Sequence, residues 1–178
     1  INLTTAVLSV TVAALVGLSL APDISYATIP YGLQFLAILV STVLFSKLMK
    51  IFGRYPIFNT GILFLFLSGI MGFLSLTREN FLYLCISHFL LGLFISTANF
   101  YRFAATDSLS SELIPKATSM VISGGVFAAI VAPLLAINLA KKTELPDYSL
   151  IYLSLSGLAI VLFVIIYFWN RSNTQHND

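Results

Sequence analysis

The feature that most constrains this chain is a series of six long apolar segments, each about as long as a helix that crosses a bilayer, which is ~20 residues. They run over residues 1–20, 27–49, 57–76, 80–104, 117–140 and 149–169. Backbone groups inside a membrane must be hydrogen-bonded within their own segment, so each segment is predicted to be helical. The sequence therefore predicts an all-α membrane protein, a bundle of six transmembrane helices.

The composition excludes several other classes of protein. Hydrophobic residues make up 58% of the 178 residues and charged residues 9%, with a mean hydropathy of +0.97. A soluble domain of this length cannot bury so much apolar surface, so the lipid bilayer is the first predicted partner. The net charge of +2 gives no reason to expect a nucleic-acid partner. The single cysteine, Cys85, excludes an internal disulfide.

The connections between the segments are short, which indicates one bundle over residues 1–169. Residues 170–178 are predicted to be a polar cytoplasmic tail or the start of an interdomain linker. Segment 1–20 has no basic start and further spans follow it, so it is interpreted as a mature helix rather than a signal peptide.

Cations near the span ends predict the orientation. Six lie on one side, namely Lys47, Lys50, Arg54, Arg102, Lys116 and Arg171. Three lie on the other, namely Arg78, Lys141 and Lys142. Cytoplasmic loops carry an excess of Lys and Arg, so both termini and the loop between segments 2 and 3 are predicted to be cytoplasmic. The membrane would be a bacterial inner membrane or an organelle membrane.

The loop SKLMKIFGRYPIF, residues 46–58, resembles the cytoplasmic loop between helices 2 and 3 of the major facilitator superfamily. The family pattern is Gly, three residues, Asp, Arg, any residue, Gly, Arg and a further basic residue. Gly53 and Arg54 match it, whereas Ser46 stands at the first glycine and Lys50 at the acid. The resemblance implies a loop that ties helix ends together, here without its acidic member.

Two further stretches resemble the same family. HFLLGLF, residues 88–94, is similar to the helix-4 motif, with His88 in place of its arginine. Residues 99–136 are similar to the end of helix 4, the following loop and helix 5 of bacterial members. The resemblance implies twelve spans in two six-helix halves with the substrate between them, of which this chain supplies the first. The second half is expected beyond Asp178, in a separate chain, or in a second copy of this chain.

Polar side chains of the fourth segment fall on one stripe of the predicted helix. At about 100° per residue, His88, Ser96 and Asn99 lie within about 80° of one another. Such groups usually face a bundle interior or an aqueous cavity, and the resemblance implies that helices 1, 2, 4 and 5 line one. The residues predicted to line a substrate or proton cavity are His88, Asn99, Ser96, Gln34, Tyr31, Asn2 and Thr5. The nearly apolar sixth segment is predicted to be an outer helix.

Small residues predict close helix packing, chiefly in the fifth segment. Small side chains four residues apart let two helices approach closely in lipid. The predicted packing positions are Gly92, Gly124, Gly125, Ala128 and Ala132, with Pro133 as a kink. At the cytoplasmic end of the fourth segment, Arg102 and Asp107 are predicted to form a helix-end ion pair. Asp107 and Glu112 are further candidates to pair with Arg54.

Two interpretations of His88 stand side by side. An imidazole titrates near neutral pH and can bind and release a coupling proton, or it can be a neutral group hydrogen-bonded to a neighbouring helix. Cys85 lies one turn before His88, which is a possible spacing for metal ligands, and Met71 and Met120 are further soft ligands. Ordinary packing is the preferred interpretation of these three residues. No metal centre and no cofactor is predicted.

The predicted function is half of a secondary active transporter that moves a small solute by alternating access, with proton coupling as one hypothesis. A non-transporting six-helix subunit or scaffold of a larger complex is the alternative, because the loop has Lys50 where the family keeps an acid. A copper carrier ranks below both. No enzyme is predicted, because the sequence shows neither a catalytic triad pattern nor a glycine-rich phosphate loop.

Overall fold

A computed structural model describes residues 2–104, 106, 112–139, 146 and 148–174. The long helices are α1 (Asn2–Leu20), α2 (Ile29–Phe52), α3 (Arg54–Thr77), α4 (Phe81–Ala98), α6 (Ile114–Leu139) and α7 (Ser149–Thr174), with a short α5 (Tyr101–Ala104) after α4. Within the described residues, six apolar helical segments are long enough to span a membrane, and α5 belongs to the fourth of them. The predicted all-α bundle of six spans is confirmed.

The fourth span is not one regular helix. α4 ends at Ala98, and the chain turns through Asn99 and Phe100 before α5. The Phe100 amide donates to the Thr97 carbonyl at 3.1 Å, three residues back instead of four, which tightens the last turn. This turn separates Arg102 from the regular part of the helix that carries His88.

The predicted loop between the second and third spans consists of a single residue. α2 ends at Phe52 and α3 begins at Arg54, and Gly53 between them has φ +81° and ψ 171°. A Cβ atom disfavours these backbone angles, so the junction requires glycine. Pro56 lies in the first turn of α3, where a missing N–H is tolerated. Lys50, in the last turn of α2, complements the negative end of the helix dipole.

Side-chain caps are found at the end of the bundle opposite the Gly53 junction. Asn80 Oδ1 accepts hydrogen bonds from the amides of Leu82 (2.9 Å) and Tyr83 (3.2 Å) and caps α4. Asp23 accepts a hydrogen bond from the Ser25 amide at 2.8 Å, and hydrogen bonding by Ser25 lowers the pKa of the Asp23 carboxyl.

Four helices, α2, α3, α4 and α7, form what we call the four-helix block. α4 packs along both α2 and α3, and α3 packs along α7. Ser68 on α3 and Ser87 on α4 each donate to the other's carbonyl at 2.8 Å. Ser156 on α7 donates to the Phe66 carbonyl on α3 at 2.9 Å. Side-chain hydrogen bonds therefore fasten neighbouring helices of the block directly to each other's backbone.

Glycines allow these helices to approach closely. A Cβ at Gly92 would overlap the Gln34 carbonyl on α2, and one at Gly72 would overlap the ring of Tyr152 on α7. A Cβ at Gly61 would overlap the side chain of Thr97. The predicted packing role of Gly92 fits this geometry, and the block extends the same device to α3, where the sequence analysis placed none.

The remaining two helices, α1 and α6, pack mainly on each other and are called here the α1–α6 pair. Ala128 and Ala132 are buried on α6, and Pro133 lies inside the helix. A Cβ at Gly125 would come within 2.9 Å of the Leu3 side chain. At Gly124 a Cβ would meet no described atom within 4 Å. The predicted stripe of small residues thus splits into packed positions and one open position.

Candidate functional site

His88 lies at the centre of a buried polar network that joins four helices. His88 Nδ1 is 2.9 Å from Gln34 Oε1 on α2, and His88 Nε2 is 3.0 Å from the Tyr152 hydroxyl on α7. Gln34 Nε2 donates to Ser9 Oγ on α1 at 3.3 Å, and Ser9 Oγ donates to the Ala6 carbonyl at 2.9 Å. Because all four side chains are buried, each polar atom is matched to another within the bundle.

A second buried polar contact lies further along α4. Ser41 Oγ on α2 donates to Ser96 Oγ at 2.7 Å, and Ser96 Oγ donates to the Leu93 carbonyl at 2.8 Å. Thr5 on α1 is also buried, and its hydroxyl donates to the Asn2 carbonyl at 2.7 Å. Ser96 and Thr5 therefore belong to the interior of this half-bundle in the conformation described.

Two further polar candidates, Asn2 and Asn99, line a cleft of about 680 Å³ where α1, α6, α7 and the end of the fourth span meet. Asn2 and Asn99 contribute carboxamides to this cleft and Arg102 contributes a guanidinium, beside apolar residues that include Leu162 and Ile165. The Arg102 guanidinium also lies 4.8 Å from the centroid of the Phe103 ring. Asp107, its predicted ion-pair partner, lies outside the described residues.

The sequence profile of the Major Facilitator Superfamily matches residues 1–178, the full length of this chain. This chain belongs to the major facilitator superfamily. The six spans correspond to the N-terminal half of a transporter of this superfamily, as the three sequence motifs indicated.

A riboflavin transporter of Brucella anthropi is 31% identical to this major facilitator chain over 138 residues. The matched region covers 78% of this chain and 34% of that protein. The chain therefore spans about a third of the length of the curated relative that it matches. No solved structure matches the chain.

Within this major facilitator half, the structure divides the predicted cavity residues into two groups. His88, Gln34, Ser96 and Thr5 are buried between the helices. Asn2 and Asn99 line the cleft, and Tyr31 is half-buried on α2, with its ring edge-on to Phe35. The residues of the single stripe predicted on the fourth span thus lie in two different surroundings, the interior between the helices and the cleft.

One member of the buried network, Tyr152, was not predicted as a site residue. Tyr152 lies on the span that was interpreted as an outer apolar helix, and its hydroxyl is its only polar group. A signal was present, because a histidine buried in lipid requires partners for both ring nitrogens, and a tyrosine in a facing span can supply one.

The surroundings of Cys85 and His88 do not favour a metal site in this conformation. Both ring nitrogens of His88 are engaged by Gln34 and Tyr152, so a metal would have to displace one of these groups. Within the described ranges, no group of three His, Cys, Asp or Glu side chains converges on one point. Met120 is exposed on α6 and Met71 is half-buried on α3.

Proposed function

We propose that this chain is the N-terminal half of a secondary active transporter that moves a small solute across a membrane by alternating access with a second six-helix half. The observation that carries the proposal is the match of the whole chain to the major facilitator superfamily. A buried polar network that spans four helices supports it, because polar groups inside a membrane are costly and commonly functional.

Riboflavin, or a similarly planar and polar small molecule, is the substrate class that we propose to test first. The support is the similarity to the riboflavin transporter of Brucella anthropi. The polar groups of the cleft, Asn2, Asn99 and Arg102, could hydrogen-bond to such a molecule, and the cleft has apolar walls at Leu162 and Ile165.

The test is uptake of labelled riboflavin by the full-length protein in liposomes, with and without a pH gradient. We expect saturable uptake that empty liposomes lack. A panel of unrelated small solutes added in excess as competitors would show whether riboflavin is preferred. Absence of riboflavin uptake, together with saturable uptake of another labelled solute, would keep the transporter and replace the substrate.

Proton coupling through His88 is the finer part of the proposal. The ring is buried and bonded at both nitrogens, so it would have to exchange its proton in another conformation of the cycle. His88→Gln should abolish accumulation driven by a pH gradient while counterflow exchange of riboflavin continues. Cys85→Ala, one turn earlier on α4, should retain both activities and is the matched control. Retained gradient-driven accumulation in His88→Gln would exclude this role.

The alternative of a non-transporting scaffold is less well supported than transport, because the characterised relative is a transporter. A copper carrier would need Cys85 for soft ligation, so the Cys85→Ala control also tests it. Loss of copper retention or of copper uptake in Cys85→Ala would revive that alternative.

We also propose an orientation, with both termini and the α2–α3 junction on the cytoplasmic side of a bacterial inner membrane or an organelle membrane. Single cysteines at Lys50 and at Glu79 should react from opposite sides with a membrane-impermeant maleimide. Reaction from the same side would contradict the proposed topology.

A further inference from the structure

The hydrogen bonds around His88 all run in one donor-to-acceptor direction, and a contact on α1 sets that direction. The Ser9 hydroxyl donates its hydrogen to the Ala6 carbonyl at 2.9 Å. A hydroxyl carries one hydrogen, so toward Gln34 the Ser9 oxygen is an acceptor. The group of Gln34 that faces Ser9 at 3.3 Å is therefore its NH₂, and its carbonyl oxygen faces His88.

The same reasoning fixes the hydrogen on the ring. Gln34 Oε1 only accepts, so His88 Nδ1, at 2.9 Å, must carry a hydrogen. A neutral imidazole has one N–H, so Nε2 is an acceptor and the Tyr152 hydroxyl, at 3.0 Å, donates to it. In this arrangement the hydrogens of Tyr152, His88 and Ser9 and one N–H of Gln34 each have an acceptor, and the last acceptor is a backbone carbonyl.

The reverse direction is less well satisfied. If the Gln34 amide were turned over, Ser9 would donate to Gln34, Gln34 to Nδ1, and Nε2–H to the Tyr152 oxygen. The hydrogen of the Tyr152 hydroxyl would then need a further acceptor, and among the described residues that hydroxyl has no second hydrogen bond. Tyrosine can donate or accept, so Tyr152 permits either direction, and the cost of its orphaned hydrogen adds to the preference that Ser9 sets.

We infer that Ser9 and Gln34 are positioning residues that hold His88 as the neutral Nδ1–H tautomer, and that the position of α1 controls this tautomer. Ser9 lies in the α1–α6 pair, whereas Gln34, His88 and Tyr152 lie in the four-helix block. Among the described residues, the Gln34–Ser9 contact is the side-chain hydrogen bond that joins the pair to the block. When α1 moves away, Gln34 loses the acceptor that orients its amide, and His88 loses its preferred tautomer.

The use of this device in transport depends on the proposed function, but the tautomer itself does not. The test is ¹⁵N NMR of the full-length protein labelled at histidine, in which protonated and unprotonated ring nitrogens give well separated signals. The spectrum of His88→Gln identifies the signals of His88 by their loss. We expect the Nδ1–H form to exceed the Nε2–H form by about tenfold, the ratio that one hydrogen bond of ordinary strength produces.

Ser9→Ala should lower that ratio by about tenfold, because Gln34 can then adopt either amide orientation. Ser9→Thr retains a hydroxyl and should restore the ratio. Ser19→Ala is the matched control, because Ser19 also lies on α1 and donates three residues back, to the Val16 carbonyl at 2.9 Å. Tyr152→Phe should keep the Nδ1–H form predominant, because Ser9 and Gln34 still direct the hydrogen to Nδ1.

Three results would overturn the inference. They are a predominant Nε2–H form in the unmodified protein, an unchanged ratio in Ser9→Ala, or a predominant Nε2–H form in Tyr152→Phe. If Ser9→Ala does not fold, Gln34→Met removes the same directing group and should lower the ratio equally. If the spectrum shows the Nδ1–H form but the protein transports no solute, the result would count against the proposed function and would leave the tautomer inference intact.

Discussion

The four-helix block and the α1–α6 pair lie in the same half-bundle but are joined by different means. Within the block, serine hydroxyls bind the backbone of the next helix, as between Ser68 and Ser87, and glycines such as Gly92 bring helices into near contact. α6 instead exposes most of its described side chains, and among the described residues Ser9 makes the side-chain hydrogen bond that joins α1 to the block. Helices that are fastened through their backbones behave as one body, whereas a pair attached by few contacts can shift.

This difference indicates which part of the half-bundle is expected to move. Packing and interhelical hydrogen bonds drive association in lipid, since apolar side chains gain little by leaving lipid tails for one another. Both contributions are concentrated in the block. We therefore expect the cleft beside Asn2 and Asn99 to change its width as α1 and α6 shift.

The largest expected effect is a contrast in hydrogen exchange between α4 and α6. Backbone amides in the middle of α4 should exchange about a hundredfold or more slowly than those in the middle of α6, because α4 opens only when the block does. Exchange followed by mass spectrometry in detergent or nanodiscs measures both helices in one sample. Equal protection of α4 and α6 would remove the distinction between block and pair.

The next effect comes from one glycine in each region. Gly92→Ala should cost about 1–3 kcal/mol of stability, because its Cβ overlaps the Gln34 carbonyl and the helices must separate. Gly124→Ala is the matched control in α6, where the Cβ meets open space, and it should be neutral or stabilise by up to about 1 kcal/mol. Thermal unfolding of both variants provides the comparison. Equal losses would show that α6 is packed as closely as α4.

A slightly smaller loss is expected at the junction between α2 and α3. Gly53→Ala places a side chain at φ +81° and should cost about 1–2 kcal/mol. Gly32→Ala, in the first turns of α2 and with open space at its Cβ, is the control and should not destabilise. The same unfolding assay applies. If Gly53→Ala is neutral, the two helices can be joined in another conformation, and the block is less rigid than its geometry indicates.

The smallest expected effect tests one of the serine contacts. Ser87→Ala should cost about 0.6 kcal/mol and at most about 1.7, the range measured for hydrogen bonds between membrane helices. Ser123→Ala in α6 removes a hydroxyl that donates within its own helix, to the Ser119 carbonyl at 2.8 Å, and should change stability very little. A larger loss in Ser123→Ala than in Ser87→Ala would reverse the comparison.

The number of spans and the family could be predicted from the sequence because both depend on local patterns. Apolar length gives the spans, and Gly53-Arg54 and His88 lie in short motifs at fixed places on them. Gly53 illustrates the limit of this reasoning. Its identity was noted from the motif, but the reduction of the predicted loop to one residue became visible only in the backbone angles.

The residues of the site were harder to predict because a helical wheel gives the angle of each residue around the helix axis but not its position along that axis. His88 and Asn99 have nearly the same angle, yet eleven residues separate them by about 16 Å along the axis. One therefore lies in the interior network and the other lines the cleft. Tyr152 is 64 residues from His88, so no local pattern could connect them.

The one-residue junction at Gly53 has a consequence for the insertion of the chain into its membrane. α3 follows α2 without a loop, and Lys47, Lys50 and Arg54 lie close together in the sequence on either side of the junction. Cations retained on the cytoplasmic side would then set the direction of both helices in a single event. α2 and α3 would enter the bilayer as one hairpin, and an error in orienting either helix would be an error in both.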